Sequence, residues 1–83
     1  MTIEGIKKLK HSIGLDVQKP KRGKYVAYRN YYDAGNTSDA DLDQMVEEGY
    51  ALTHHGHNHW YCVSEKGIKM LEELMGIKIV DSK

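Results

Sequence analysis

Between His54 and Cys62 the chain reads His54-His55-Gly56-His57-Asn58-His59-Trp60-Tyr61-Cys62. Imidazole and thiolate are the usual ligands of zinc and its neighbours. If Gly56-His57-Asn58 is a three-residue loop, His55 stands opposite His59 on the same side, with His57 at the tip. His55, His57 and His59 are then the candidate metal ligands. Cys62 falls on the other face, beside Trp60 and Leu52, which leaves a four-ligand structural site incomplete. A polar, exposed hairpin tip with Cys62 buried beneath it accounts for the same residues without an ion. No metal or other cofactor is therefore assigned. Histidines in this number also titrate near neutrality and suit a pH-sensitive contact.

A second group is Lys19-Pro20-Lys21-Arg22-Gly23-Lys24, followed by Tyr25, Tyr28, Arg29, Tyr31 and Tyr32. Cations that track phosphates and rings that stack on bases are the residue types of a single-strand binder. Lys19, Lys21, Arg22, Lys24 and Arg29 are the nucleic-acid candidates. The tyrosines have a competing use. The chain contains no Phe, so other large side chains must fill its core, and some of these tyrosines are expected there.

Catalysis finds little support. A Cys–His or Ser–His nucleophile needs an orienting third group and an oxyanion site. Strand alternation turns the neighbours of Cys62 away from it. Glu47-Glu48 and Glu72-Glu73 are adjacent on helices and point apart. No glycine-rich phosphate loop occurs. The expectation is a protein that is not an enzyme.

The elements that must carry these residues read as follows. Thr2 caps a helix over 3–13, with Ile3, Ile6, Leu9 and Ile13 as its apolar stripe, Gly14 as its stop and Leu15 packing back. A loop over 16–24 leads to an extended segment, Tyr25 to Tyr32, and then to a turn over 33–37. Ser38-Asp39-Ala40-Asp41 resembles a capping box and opens a helix over 39–48. Its buried stripe is Leu42, Met45 and Val46, and Gly49 ends it. Residues 50–55 and 59–63 form a hairpin. Ser64 caps a helix over 65–75, with Ile68, Leu71, Leu74 and Met75 inward and Gly76 as its stop. Residues 77–80 add a short strand.

Eighty-three residues, 40% apolar and 29% charged, make one folded domain over 1–83 with a modest core. No apolar run is long enough to cross a membrane, and no signal peptide is expected at the N-terminus. A single cysteine, Cys62, suits a reducing, cytoplasmic setting. Net charge is zero but unevenly placed. Residues 1–32 hold eight Lys or Arg against two acids, and residues 33–83 hold ten acids against four lysines. Such a split offers a face to a polyanion or an acidic partner, or lets the two halves attract each other in the fold.

Met45-Val46-Glu47-Glu48-Gly49-Tyr50, then Tyr61-Cys62-Val63-Ser64-Glu65-Lys66-Gly67-Ile68, resembles the recognition-helix end, wing and following helix of winged-helix proteins. The likeness covers roughly residues 38–75. It implies a winged-helix-like α+β fold of three helices, a β-hairpin wing and one additional strand. DNA docking does not carry over with it. The helix before the hairpin holds Asp39, Asp41, Asp43, Glu47 and Glu48 and no cation, and duplex DNA would repel it. Tyr28-Arg29-Asn30-Tyr31-Tyr32 before an acidic capped helix is also similar to small uncharacterised proteins of bacterial phages and prophages. Together these readings lead to an expected interaction module of phage type that binds a protein partner. Asp39, Asp43 and Glu47 on the acidic helix, and His57 and Trp60 on the hairpin, are the expected contacts. Self-pairing as a homodimer would bury further apolar surface. The rival expectation is nucleic-acid binding through the basic N-terminal half.

Overall fold

The computed structural model describes residues 1–16, 18–56 and 58–81. Among these residues, three helices and five strands form an α+β domain: α1 (Ile3–Ser12), β1 (Lys24–Ala27), β2 (Tyr32–Gly35), α2 (Ala40–Glu47), β3 (Ala51–His55), β4 (His59–Val63), α3 (Glu65–Met75) and β5 (Lys78–Asp81). Among the described residues, no helix is long and apolar enough to cross a membrane.

Local chemistry sets the helix limits. The Thr2 hydroxyl accepts from the Gly5 amide, and Ser64 accepts from the Gly67 amide. Each satisfies one N-terminal donor that the helix itself leaves unpaired. At the other ends Gly14, Gly49 and Gly76 take positive φ. The chain then folds back, with Leu15 N donating to Lys10 O and Tyr50 N to Met45 O, both at 2.9 Å. Gly14 also admits a neighbour. A Cβ there would lie 2.4 Å from the Tyr28 ring.

The strands form two sheets. One is three-stranded and antiparallel, in the order β2-β4-β3. The other pairs β1 with β5 in parallel. The core lies between the inner face of the larger sheet and the helices. Leu9, Ile13, Leu42, Met45, Tyr61 and Leu71 are fully buried there. Burial of each such side chain contributes about 1.5–3 kcal/mol. With no Phe available, tyrosines enter the core, and each buried hydroxyl needs a partner. Tyr25 Oη donates to Ile13 O at 2.7 Å. Tyr61 Oη accepts from the Asp39 amide at 2.9 Å and donates to the Asp43 carboxylate at 2.7 Å.

The extended segment expected over Tyr25–Tyr32 is divided. Its first part is β1 and its end enters β2, in different sheets. Residues 28–31 cross between them because distant groups claim them. The Asn30 side chain bonds both Val63 N (2.7 Å) and Val63 O (2.9 Å), taking the place of a strand neighbour. Arg29 Nη2 donates to His11 O at 2.7 Å. The first three residues of the turn expected over 33–37 are strand, so three strands accompany the hairpin rather than one. The cap of α2 is Asp39, accepting from the Leu42 amide, where Ser38 was the expected cap. Two residues expected inside lie outside. Ile3 is 73% exposed and Leu74 57% exposed, because each sits at a helix end where the stripe turns away from the core.

Candidate functional site

The hairpin has the register expected of it. His55 pairs with His59, His54 with Trp60, Thr53 with Tyr61 and Leu52 with Cys62. Alternation then sorts the side chains. Ala51, Tyr61 and Val63 face the core. Leu52, His54, Trp60 and Cys62 face away from it. Tyr31, just before β2, joins this outer side. Its ring lies 5.8 Å from Trp60, and the His54 ring stacks on Trp60 at 5.3 Å. Leu52 is 58% exposed and Tyr31 49%. The outer face of the larger sheet is therefore an aromatic platform centred on Trp60, with Leu52 and a half-buried Cys62 beside it. Burial pushes the Cys62 thiol up from its ordinary value, which keeps it protonated and unreactive near neutral pH.

His57 lies outside the described residues, as does the side chain of His55, and with them the expected ligand trio. His59 faces the opposite side of the strand from His54. Among the described residues no three His, Cys, Asp or Glu side chains converge as a metal site.

The acidic helix differs from expectation. Asp39 and Asp43 are not free contacts. The Asp39 carboxylate caps α2 and takes two bonds from Lys8 Nζ, at 3.0 and 2.8 Å. Its side chain is only 13% exposed. Burial alone would push this carboxyl up, but the Lys8 and Leu42 N–H donors outweigh it and hold it below its ordinary value. Lys8 also bonds Asp41 at 2.9 Å, and its own pKa is raised by the bonds to Asp39 and Asp41. Asp43 accepts from the buried Tyr61 hydroxyl. A repulsive acidic cluster at the start of a short helix is thus neutralised by α1. This is part of how the basic and acidic halves attract each other. Glu47 is the one expected acidic contact that stays exposed.

The basic candidates also separate. Arg29 is drawn to the end of α1 and stacks over Tyr28, 5.4 Å from its centroid. Lys19, Lys21, Arg22 and Lys24 are exposed. Lys21 and Lys24 exchange backbone hydrogen bonds of 2.8 and 3.0 Å. Arg22 (φ 54°) and Gly23 (φ 72°) form the tight turn between them. Lys78, which the sequence did not single out, pairs with Lys24 across the parallel sheet.

A shallow, open cleft of about 370 Å³ runs beside α3, lined by Asn30, Val63, Glu65, Ile68, Lys69 and Glu72. Two of its polar groups are already engaged, Asn30 with Val63 and Glu72 with the Ile79 amide.

Tyr31, His54 and Leu52 join Trp60 on the platform, although none of them was among the expected protein contacts. The alternation around the hairpin signalled Leu52 and His54. Tyr31 carried no such signal, because its position depends on the Asn30–Val63 bonds. No protein-family model, curated protein or solved structure matches this chain.

Proposed function

We propose that the chain is a non-enzymatic interaction module, of phage or prophage type and cytoplasmic, that binds a protein partner through the outer face of its three-stranded sheet. The observation that carries this reading is the Trp60 platform. One face of the sheet is sealed by helices, and the other presents Trp60 between His54 and Tyr31 with Leu52 largely exposed. Trp and Tyr give large contact area with few torsions to freeze, and they dominate binding energy at protein interfaces. An exposed apolar patch on a small domain marks such a site. The partner suited to it offers apolar or aromatic side chains to Leu52 and Trp60.

The scaffold reading is winged-helix-like. It is supported by the sequence α2, β3–β4 hairpin, α3, with Gly49 releasing the chain and Ser64 restarting it. The parallel β1–β5 pair is an addition to that pattern. The acidic contact surface contracts to Glu47, since Asp39 and Asp43 serve the fold.

The test is a photo-reactive amino acid at Leu52, with the same group at Glu73 on α3 as control. Irradiation in the producing cells should give a discrete adduct from position 52 alone. Trp60→Ala and Tyr31→Ala should each remove it while leaving the thermal midpoint nearly unchanged. Equal adducts from both positions, or an adduct indifferent to Trp60, would refute the proposal.

A further inference from the structure

The β1–β5 sheet carries a charge arrangement that no contact inside the described protein relieves. Lys21 is bridged to Lys24, and Lys24 pairs with Lys78. The three lysines therefore stand side by side across three adjacent stretches of chain. Paired positions project to the same side of a sheet. That side is the outer one, because Tyr25, Ala27 and Ile79 of the alternate positions are buried while Lys24 and Val26 are exposed. Arg22 stands at the tip of the turn, and Lys19 leads into it. Lys78 N donates to Gly23 O at 2.8 Å, which fixes the turn against β5. Like charges directly opposite one another destabilise a sheet. Lys8, by contrast, has two carboxylates. Among the described residues none of Lys19, Lys21, Arg22, Lys24 and Lys78 forms an ion pair. The carboxylate of Glu72, which reaches β5, is bonded to the Ile79 amide.

We propose that the row Lys21–Lys24–Lys78, with Arg22 at its tip, binds the phosphate backbone of a nucleic acid. Neighbouring strands lie about 4.8 Å apart, so the row spans roughly 10 Å. An extended acidic peptide places carboxylates on one face only about every 6.8 Å, too sparse to neutralise every lysine. A duplex presents one charge per about 1.7 Å of its axis with both strands counted, or about 3.4 Å of axis per strand, and that density can neutralise the whole row. Three of the four cations are lysines, which meet phosphate as point charges, so the row contacts the backbone and not the bases. This site uses neither Trp60 nor the larger sheet and stands apart from the protein-binding reading. It differs from the basic segment seen in the sequence by including Lys78 and by omitting Lys19 and Arg29.

The experiment is fluorescence-anisotropy titration of a short labelled duplex, and of a short labelled single strand, with the full chain. Four phosphate contacts predict a log–log salt slope on the duplex of roughly −3.6, or about a 150-fold loss of affinity between 50 and 200 mM salt. Lys24→Gln with Lys78→Gln should make the slope shallower by about 1.8 and weaken binding at least about tenfold at the lower salt. Lys7→Gln with Lys69→Gln, the same change in net charge, should stay within about twofold of wild type. The thermal midpoint of Lys24→Gln/Lys78→Gln should equal or exceed that of wild type. No binding at 50 mM salt, equal losses in the two variants, or a lower midpoint in the row variant would overturn the proposal. So would displacement of the duplex by polyglutamate at equal charge concentration, or equally tight binding to phosphatidylserine vesicles. Trp60→Ala should leave duplex binding intact, so each proposal fails on its own measurement.

Discussion

Replacing Asp39 by alanine should cost about 1.5–2 kcal/mol of folding stability, although a helix-surface aspartate would ordinarily cost almost nothing. Two interactions end together. The cap on the Leu42 amide is worth about 1 kcal/mol. The partly buried ion pair with Lys8 adds about 0.5–1 kcal/mol after allowance for solvent screening. In a domain of this size, 1 kcal/mol moves the thermal midpoint by roughly 4–8 °C, so the midpoint should fall by about 10 °C. Asp39→Asn separates the parts. Asn caps nearly as well as Asp but carries no charge, so about a third to a half of the loss should remain. The pH dependence has a definite sign. The Asp39 carboxyl is held below its ordinary value in the fold. Its contribution is therefore complete above the unfolded value of about 3.9 and is lost as pH falls through the lower folded value. The gap between wild type and Asp39→Ala should be constant from about pH 5 to 8 and narrow below about pH 4. Urea melts at several pH values read it directly. A loss under about 0.5 kcal/mol, or a gap that widens in acid, would show that Asp39 is a surface group.

Other substitutions probe the packing. Gly67→Ala should cost about 2–3 kcal/mol by urea melt, because the new Cβ would lie 2.0 Å from Tyr50 O and 2.6 Å from Val63 Cγ1. Tyr61→Phe should cost about 1–2 kcal/mol, since the Asp39 amide and the Asp43 carboxylate lose their shared partner. Leu74→Ala, outside the core, should change stability by less than about 0.5 kcal/mol. A large loss there would place α3 in a different rotation.

What the sequence revealed follows how far apart the deciding groups lie. Thr2, Ser64, Gly14, Gly49 and Gly76 act on neighbours within a few residues, and each helix end they mark was readable. The hairpin register was readable for the same reason, because a three-residue loop fixes His55 against His59. The division of Tyr25–Tyr32 was not, because Asn30 is held by Val63, 33 residues away. Asp39 looked exposed for a similar reason. Its partner Lys8 lies 31 residues earlier, and nothing local signals the pairing. Lys78 could not be joined to the basic segment before the parallel pairing of β1 with β5 was known. Both candidate surfaces were half legible. Each was marked by local residues and completed by a long-range contact.

The account rests most heavily on the Trp60 platform, and intrinsic fluorescence reaches it without a mutation, since Trp60 is the only tryptophan. With the partner captured through Leu52 in hand, titration into the chain should shift Trp60 emission to the blue and shield it from acrylamide. An emission maximum and quenching constant that stay unchanged at saturation would contradict it.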